Sequence, residues 1–354
     1  MMAANKQNKT KQCRKRRPRA LDLFSGCGGL TLGLKQAGFE VVGAVENEPV
    51  AVQTYKANHP DVLVKAANIR RLSARGLRRE LKLRRGELDL LAGCPPCQGF
   101  SALRTRNGAN RNRDVRNNLV HEMLRFARAF RPKAVMMENV PKLARHKPFK
   151  DLCKGLRKLG YQLTFEVKDA ARYGVPQRRR RLILLASRGF DIEFAVETRR
   201  FRSVRGAIGR MVEPGRSKDA LHNVPEKKRA KKVLKLIRDI PKDGGSRGDL
   251  PKSRQLECHK RSDGFNDIYG RMAWSEVAPT ITAGCFNPSK GRFLHPEKNR
   301  AITMREAALL QGFPRNYVFD LSAGKQAIAL MIGNALPPEF IRRHALEIRN
   351  ALGK

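Results

Sequence analysis

Ala20-Leu21-Asp22-Leu23-Phe24-Ser25-Gly26-Cys27-Gly28-Gly29-Leu30 is the stretch whose reading decides the fold. Residues 20–24 form a short apolar run that reads as a strand, and Ser25 to Gly29 make a glycine-rich turn. Residues 30–37 then have helical spacing and stop at Gly38. Strand, glycine turn and helix are how a nucleotide-binding α/β unit opens, because the glycines let backbone N–H groups approach a ligand. The spacing Gly-x-Gly-Gly departs from the dinucleotide fingerprint Gly-x-Gly-x-x-Gly, which argues against a nicotinamide oxidoreductase.

Working outward, the apolar run 41–45 ends at Glu46, about twenty residues past the glycines. An acid there can accept hydrogen bonds from ribose hydroxyls; the alternative is an acid at the start of a helix before Pro49. The glycine turn upstream favours the ribose role. Residues 62–65 read as a third strand leading to Asn68-Ile69, and 88–92 as a fourth. Helical spacing over 119–130 precedes a fifth strand, 134–137, which ends in Glu138-Asn139-Val140-Pro141. A helix at 149–159 and strands at 162–167 and 182–186 follow. Strands alternating with helices predict an α/β fold with a doubly wound, mainly parallel sheet.

From Gly189 the pattern changes to basic clusters, turn signals such as Asp243-Gly244-Gly245, and few clear periods. This reads as a second, smaller, irregular domain with one helix at 227–240. Residues 301–312 read as a helix opened by Thr303, with Glu306 at capping-box spacing. Gly333-Asn334-Ala335-Leu336-Pro337-Pro338 precedes a terminal helix over 339–352. No internal repeat is present.

The fourth strand runs into Gly93-Cys94-Pro95-Pro96-Cys97-Gln98-Gly99-Phe100-Ser101. Two prolines cannot continue a ladder, so the chain turns out of the sheet and sets Cys97 at its carboxyl edge. Open α/β sheets build their sites there. A redox pair is disfavoured by the internal prolines, and a zinc site normally needs a second pair, so no metal is expected. Cys97 therefore reads as a nucleophile. Cys94 reads as a small buried filler beside it. The polar stretch between Ser101 and Asn118 carries Arg104, Arg106, Arg111, Arg113 and Arg116, and reads as a lid that closes on phosphates. The alternative for that stretch is a surface insertion.

The chain has 354 residues with 74 Lys and Arg against 32 Asp and Glu, a formal net charge of +42. Such a field attracts polyanions, and nucleic acid is favoured over membrane because no basic amphipathic helix with an aromatic face stands out. The apolar runs are too short to span a bilayer. Residues 1–19 hold eight basic side chains, no acid and no signal-peptide core. Seven scattered cysteines fit a reducing compartment better than a disulfide scaffold.

Taken in order, these motifs resemble those of the S-adenosylmethionine-dependent DNA cytosine-5 methyltransferases, from about Arg19 to the C-terminus. Asp22 to Leu30 is similar to the family's cofactor loop, and Pro95-Pro96-Cys97-Gln98 to its nucleophile motif. Glu138-Asn139-Val140 resembles the acid motif, and Gln177-Arg178-Arg179-Arg180-Arg181 the Gln-x-Arg-x-Arg motif. Residues 305–314 and Gly333-Asn334-Ala335-x-Pro337-Pro338 resemble the two motifs nearest the C-terminus.

The resemblance implies methyl transfer to C5 of a cytosine flipped out of double-stranded DNA. Cys97 would attack C6, Glu138 would protonate N3, and Arg179 and Arg181 would hold the base and its flanking phosphate. It implies S-adenosylmethionine bound by Phe24, Ser25, Gly26, Gly28, Gly29, Leu30, Glu46, Asn47, Asn68, Ile69, Pro96, Leu119, Asn334 and Ala335. Asn68 stands where an aspartate is usual and Asn47 where an aromatic often stacks on adenine, so both contacts are weakened. The implied division is a basic tail (1–18), a catalytic and cofactor domain (19–188), a small target-recognition domain (189–325) and a returning C-terminal segment (326–354). A cytoplasmic, nucleoid-associated monomer that needs no restriction endonuclease for its activity is also implied. An RNA cytosine methyltransferase of the same architecture is the nearest rival, and a catalytically silent DNA-binding relative the next.

Overall fold

The computed structural model describes residues 16–96, 118–226, 228–257 and 267–353. Seven strands form one sheet: β1 (Arg19–Leu23), β2 (Glu40–Glu46), β3 (Leu63–Ala66), β4 (Leu90–Gly93), β5 (Ala134–Asn139), β6 (Gln162–Asp169) and β7 (Arg180–Ser187). Their spatial order is β3-β2-β1-β4-β5-β7-β6. The first five run parallel, while β7 is antiparallel to both β5 and β6. The expected doubly wound sheet is present, with an antiparallel pair at one edge.

The central strands are apolar throughout because both faces are covered. Leu91, Val135 and Met137 pack into a core with α3 (Ala74–Glu80), α4 (Val120–Phe130) and α5 (Lys147–Lys158). Leu90, Ala92, Ala134 and Met136 face the other way, toward α1 (Gly29–Gln36) and α10 (Pro338–Gly353). This alternation fixes the register, since a slip of one residue would exchange the two faces.

The order of connection reverses between β1 and β4, which are neighbours although two strands separate them in the chain. Loops leaving their carboxyl ends diverge and leave a crevice, the usual ligand position in open α/β sheets. The glycine turn and the Pro95-Pro96 turn both leave from this point.

Four helices were not expected from the sequence: α2 (Pro49–Asn58), α3, α6 (Val204–Ile208) and α9 (Gly324–Asn334). The helix expected over 227–240 is shorter, as α7 (Lys231–Asp239), because Ile240 precedes Pro241 and is held extended. The helix expected at 301–312 is α8 (Met304–Gln311), and Thr303 and Glu306 form the capping box. Around α6, α8 and α9 lies a further core that reaches back to Cys27 and Ala51.

Near α7 the chain is irregular, and one guanidinium replaces a ladder. Arg271 is fully buried and donates to the carbonyls of Ile237, Ile240, His295 and Lys298 and to Asn299 Oδ1.

Candidate active site

The glycine turn begins with strain. Phe24 has φ of 61°, a left-handed conformation that non-glycine residues seldom adopt and that clusters at functional sites. Ser25 N–H returns to the Val45 carbonyl at 3.1 Å, and Gly28 N–H closes the turn onto Ser25 O at 2.9 Å. A Cβ on Gly29 would lie 2.6 Å from the Leu336 carbonyl, so the helix start and the 334–336 segment touch because Gly29 has no side chain. Leu30 is buried in the sheet core. The structure thus brings Phe24 to Leu30 together with Ala335.

Beneath the turn Asp22 is buried, and burial pushes its carboxyl up to about 7 despite the Thr31 hydroxyl, which donates to Oδ2 at 2.7 Å. Since that hydroxyl proton goes to Asp22, the Tyr55 hydroxyl must be the donor to Thr31, also at 2.7 Å.

Glu46 sits at the tip of β2. Its Oε2 accepts from Gly26 N–H at 2.8 Å, and its Oε1 from Asn47 and Glu48 N–H at 2.8 and 2.9 Å. It therefore fastens the glycine turn and supplies the start of α2, the alternative role weighed from the sequence. A carboxylate has about four lone-pair sites, so acceptor capacity for ribose hydroxyls remains. Asn47 is exposed next to it. Asn68 is exposed as well, and its Oδ1 accepts from Arg70 N–H at 3.0 Å, capping the turn Ile69–Arg71. An adenine amino group would have to share that oxygen. Ile69 and Leu119 pack at the edge of the sheet core.

Cys97 lies outside the described residues, as does the basic stretch 101–117; what precedes and faces them is defined. Gly93 pairs in register with Met137, which places Cys94 level with Glu138 and Pro95 level with Asn139. Asn139 Nδ2 donates to Pro95 O at 2.9 Å, tying the turn that leads into Cys97 to the tip of β5. Glu138 is 2% exposed. Arg181 Nε lies 2.8 Å from its Oε1, an ion pair off the N–H axis, so Oε1 accepts no hydrogen bond among the described residues. The Cys94 thiol lies 2.8 Å from Oε2 and donates to it. Cys94 was expected to be a filler; the register instead makes it a partner of the acid.

Gln177, Arg179 and Arg181 are two residues apart, so an extended chain turns all three to one side. Their partners differ. Gln177 accepts from Ile281 N–H at 2.8 Å and donates to the Leu310 carbonyl and to Gln311. Arg179, 3% exposed, donates from both terminal nitrogens to the carbonyls of Ile281 and Gly333, at 3.0 and 2.9 Å. These two bonds fasten chain to chain. Arg181 alone of the pair meets Glu138. Asn334 is exposed at the end of α9, one residue beyond that clamp.

Two site residues escaped the sequence reading, Asn139 and Cys94. Asn139 could have been found from its place after Glu138, but Cys94 only from the register. Among the described thiols Cys27 and Cys285 are poor candidates for nucleophiles, since burial pushes both up to about 12. No helix among the described residues is long and apolar enough to cross a membrane.

Comparison with known proteins gives the family. The family model for C-5 cytosine-specific DNA methylase matches residues 19–350. A type II methylase, M.HgiDII of Herpetosiphon aurantiacus, is 33% identical, over 94% of this chain and 95% of its own length. The type II methyltransferase M1.HphI of Haemophilus parahaemolyticus is also 33% identical, over 90% of this chain and 83% of its own. Among solved structures, a DNA modification methyltransferase encoded within an Escherichia coli prophage superposes with a TM-score of 0.69 at 25% identity, covering 95% of this chain and all of that one. The chain belongs to the C-5 cytosine-specific DNA methylase family and is a DNA cytosine-5 methyltransferase.

Proposed function

We propose that the crevice at the carboxyl ends of β1, β4 and β5 carries out this transfer with S-adenosylmethionine as methyl donor, Cys97 as nucleophile and Glu138 as general acid. The observation behind the reading is the bond from Asn139 to Pro95, which ties the turn entering Cys97 to the strand tip that bears Glu138.

The residues at the glycine turn suit the cofactor. Ser25 Oγ is buried without a hydrogen-bond partner among the described residues, and a Cβ on Gly26 would meet nothing within 4 Å. The turn therefore offers a polar atom and open space to one ligand. Phe24, Gly28, Gly29 and Leu30 shape the turn, and Glu46 takes the ribose. Asn47, Asn68 and Ile69 border the adenine, and Pro96, Leu119, Asn334 and Ala335 close the rest. When bound, the cofactor supplies an electrophilic methyl group on a sulfonium.

Cytosine C5 is too electron-poor to attack that methyl unaided. Addition of the Cys97 thiolate to C6 makes the ring enamine-like, splitting one hard step into easier ones. Glu138 gives its proton to N3 as the thiolate adds, which keeps the negative charge from building on the ring. Arg181, always charged and beside Glu138, holds the base and the neighbouring phosphate. Once C5 carries the methyl group, its proton passes to solvent, the electron pair of that C–H bond expels Cys97 as thiolate, and N3 returns its proton to Glu138, leaving 5-methylcytosine. The base leaves the stack to reach this pocket, at an unstacking cost of a few kcal/mol. The enzyme acts as a monomer in the cytoplasm and needs no restriction endonuclease for activity.

Bisulfite sequencing of DNA from cells that make the protein identifies the methylated site. A duplex bearing 5-fluorocytosine there should form an adduct that survives denaturation, because without a C5 proton the cysteine cannot leave. The same duplex with Cys97→Ala should form none. An adduct of undiminished yield in that variant would refute the nucleophile.

A further inference from the structure

The register that sets Cys94 beside Glu138 has a use in the proposed chemistry. We propose that Cys94 is a positioning residue, whose S–H holds Glu138 Oε2 so that Oε1 is the oxygen presented to the base. The proposal rests on the reading of Glu138 as the general acid.

Rotation about the last bond of a glutamate is broad and roughly two-fold, so a buried carboxyl does not orient itself. Here each oxygen has a different neighbour. Oε2 has the Cys94 thiol at 2.8 Å. Oε1 has Arg181 Nε at 2.8 Å with the N–H off axis, so it is balanced in charge yet accepts no hydrogen bond among the described residues. Oε1 is thus the oxygen with a free direction for a proton.

Backbone geometry supports the assignment. Cys94 follows the last residue of β4, and its N–H is bonded to Leu23 O at 3.2 Å. That bond fixes the Cα of Cys94, and the parallel pairing of Gly93 with Met137 fixes the Cα of Glu138. The thiol–carboxyl contact is therefore set by the sheet and does not depend on a mobile loop.

A thiol suits the task because it is a weak donor. Stronger donors to a carboxylate favour its ionised form, whereas an acid must carry its proton into the reaction. The S–H aligns the group with little bias toward the charged state.

The experiment is single-turnover methyl transfer with tritiated S-adenosylmethionine on plasmid DNA. Cys94→Ala should lower the rate about tenfold, the loss expected for one hydrogen bond to a carboxyl, with KM for cofactor and DNA within about twofold. Cys94→Val, which fills the space without a donor, should show the same loss, and Cys94→Ser should recover only part of the rate, since its hydroxyl restores the alignment but favours the ionised acid. In the Glu138→Gln background Cys94→Ala should cost nothing further. A normal rate in Cys94→Ala beside a dead Glu138→Gln overturns the proposal and leaves the acid in place. So does an equal, additive loss in both backgrounds, which would place the action of Cys94 elsewhere. A wild-type rate in Glu138→Gln instead overturns the reading of the acid itself.

Discussion

Asn139 donates to the Pro95 carbonyl at 2.9 Å while its own Oδ1 accepts from Val140 N–H at 2.8 Å, so one buried amide holds both sides of a strand tip. Alanine at this position would leave the buried Pro95 carbonyl without this partner, at about 1–3 kcal/mol, and would free the part-buried Val140 N–H at a smaller cost. The turn entering Cys97 would lose its anchor to β5. Asn139→Ala should lower kcat about 10- to 100-fold, the scale of a small misplacement at a reacting centre, with KM for the methyl donor little changed. Steady-state kinetics check this, and an unchanged kcat would show that the two prolines hold the turn unaided.

Removing the nucleophile should separate chemistry from binding. Cys97→Ala is expected to abolish methyl transfer while DNA affinity, measured by filter binding, stays within a few-fold of the parent. The field that attracts DNA comes from 74 basic side chains and does not involve this thiol. Methyl incorporation at a normal rate would sink the covalent mechanism.

The two arginines of the Gln-x-Arg-x-Arg motif should behave differently. Arg179 ties residues 281 and 333 to the segment that leads into β7, and each bond joins a charged donor to a buried carbonyl. Arg179→Ala should destabilise the fold by about 2–4 kcal/mol, seen in urea unfolding. Arg181→Ala should lower kcat/KM, since its partner is the Glu138 carboxyl, and should leave stability nearly unchanged in a Glu138→Gln background, where no buried carboxylate is left unpaired. Equal stability loss in both would mean that the motif is a single structural unit.

Much of this arrangement was legible in the sequence, and the limit of legibility is physical. Strand, turn and helix over residues 20–37 follow from period and glycine placement, which are local. The capping box at Thr303 and Glu306 is local too. Pairing is not: that Cys94 stands level with Glu138 depends on β4 meeting β5 in one register. Nor does spacing separate Arg179 from Arg181, because alternation gives both the same side and only the chain packed above decides their partners. Helix α9 was missed because residues 327–333 are apolar on every side, the exposed Leu330 included, which leaves little amphipathic period to read.

Stability should fall with acid in a defined window. Burial lowers His59, His295 and His344 to about 4, against 6.5 when unfolded. Between those values the unfolded chain binds protons that the folded chain refuses, so stability declines as pH drops from about 6.5 to 4. Asp22 has the opposite sign: raised to about 7, it makes folding costlier as pH rises from 3.8 to 7. Asp22→Asn should therefore gain stability relative to the parent as pH climbs through that range, by on the order of 2–4 kcal/mol at the top. Thermal unfolding from pH 4 to 8 tests both, and a parent–variant difference independent of pH would show that Asp22 is ionised in the fold throughout.

Among the described residues the basic surface includes an ordered element suited to phosphate. Lys231, Lys235 and Arg238 fall at positions i, i+4 and i+7 of α7, so they share one face, and all three are exposed. Among the described residues none of them pairs with a carboxylate, while Leu236 and Ile237 anchor the opposite face near Arg271. A stripe of this kind exchanges counterions for DNA phosphates, and each phosphate neutralised contributes about −0.9 to the slope of log K against log salt. The parent should lose DNA affinity steeply with salt. Replacing all three residues by Gln should flatten the slope by about 2–3 if α7 lies on the duplex backbone. Fluorescence anisotropy with a random-sequence duplex, titrated from low to moderate salt, measures both slopes. A parallel pair of lines would mean that DNA is held by other parts of the surface and that this stripe only faces water.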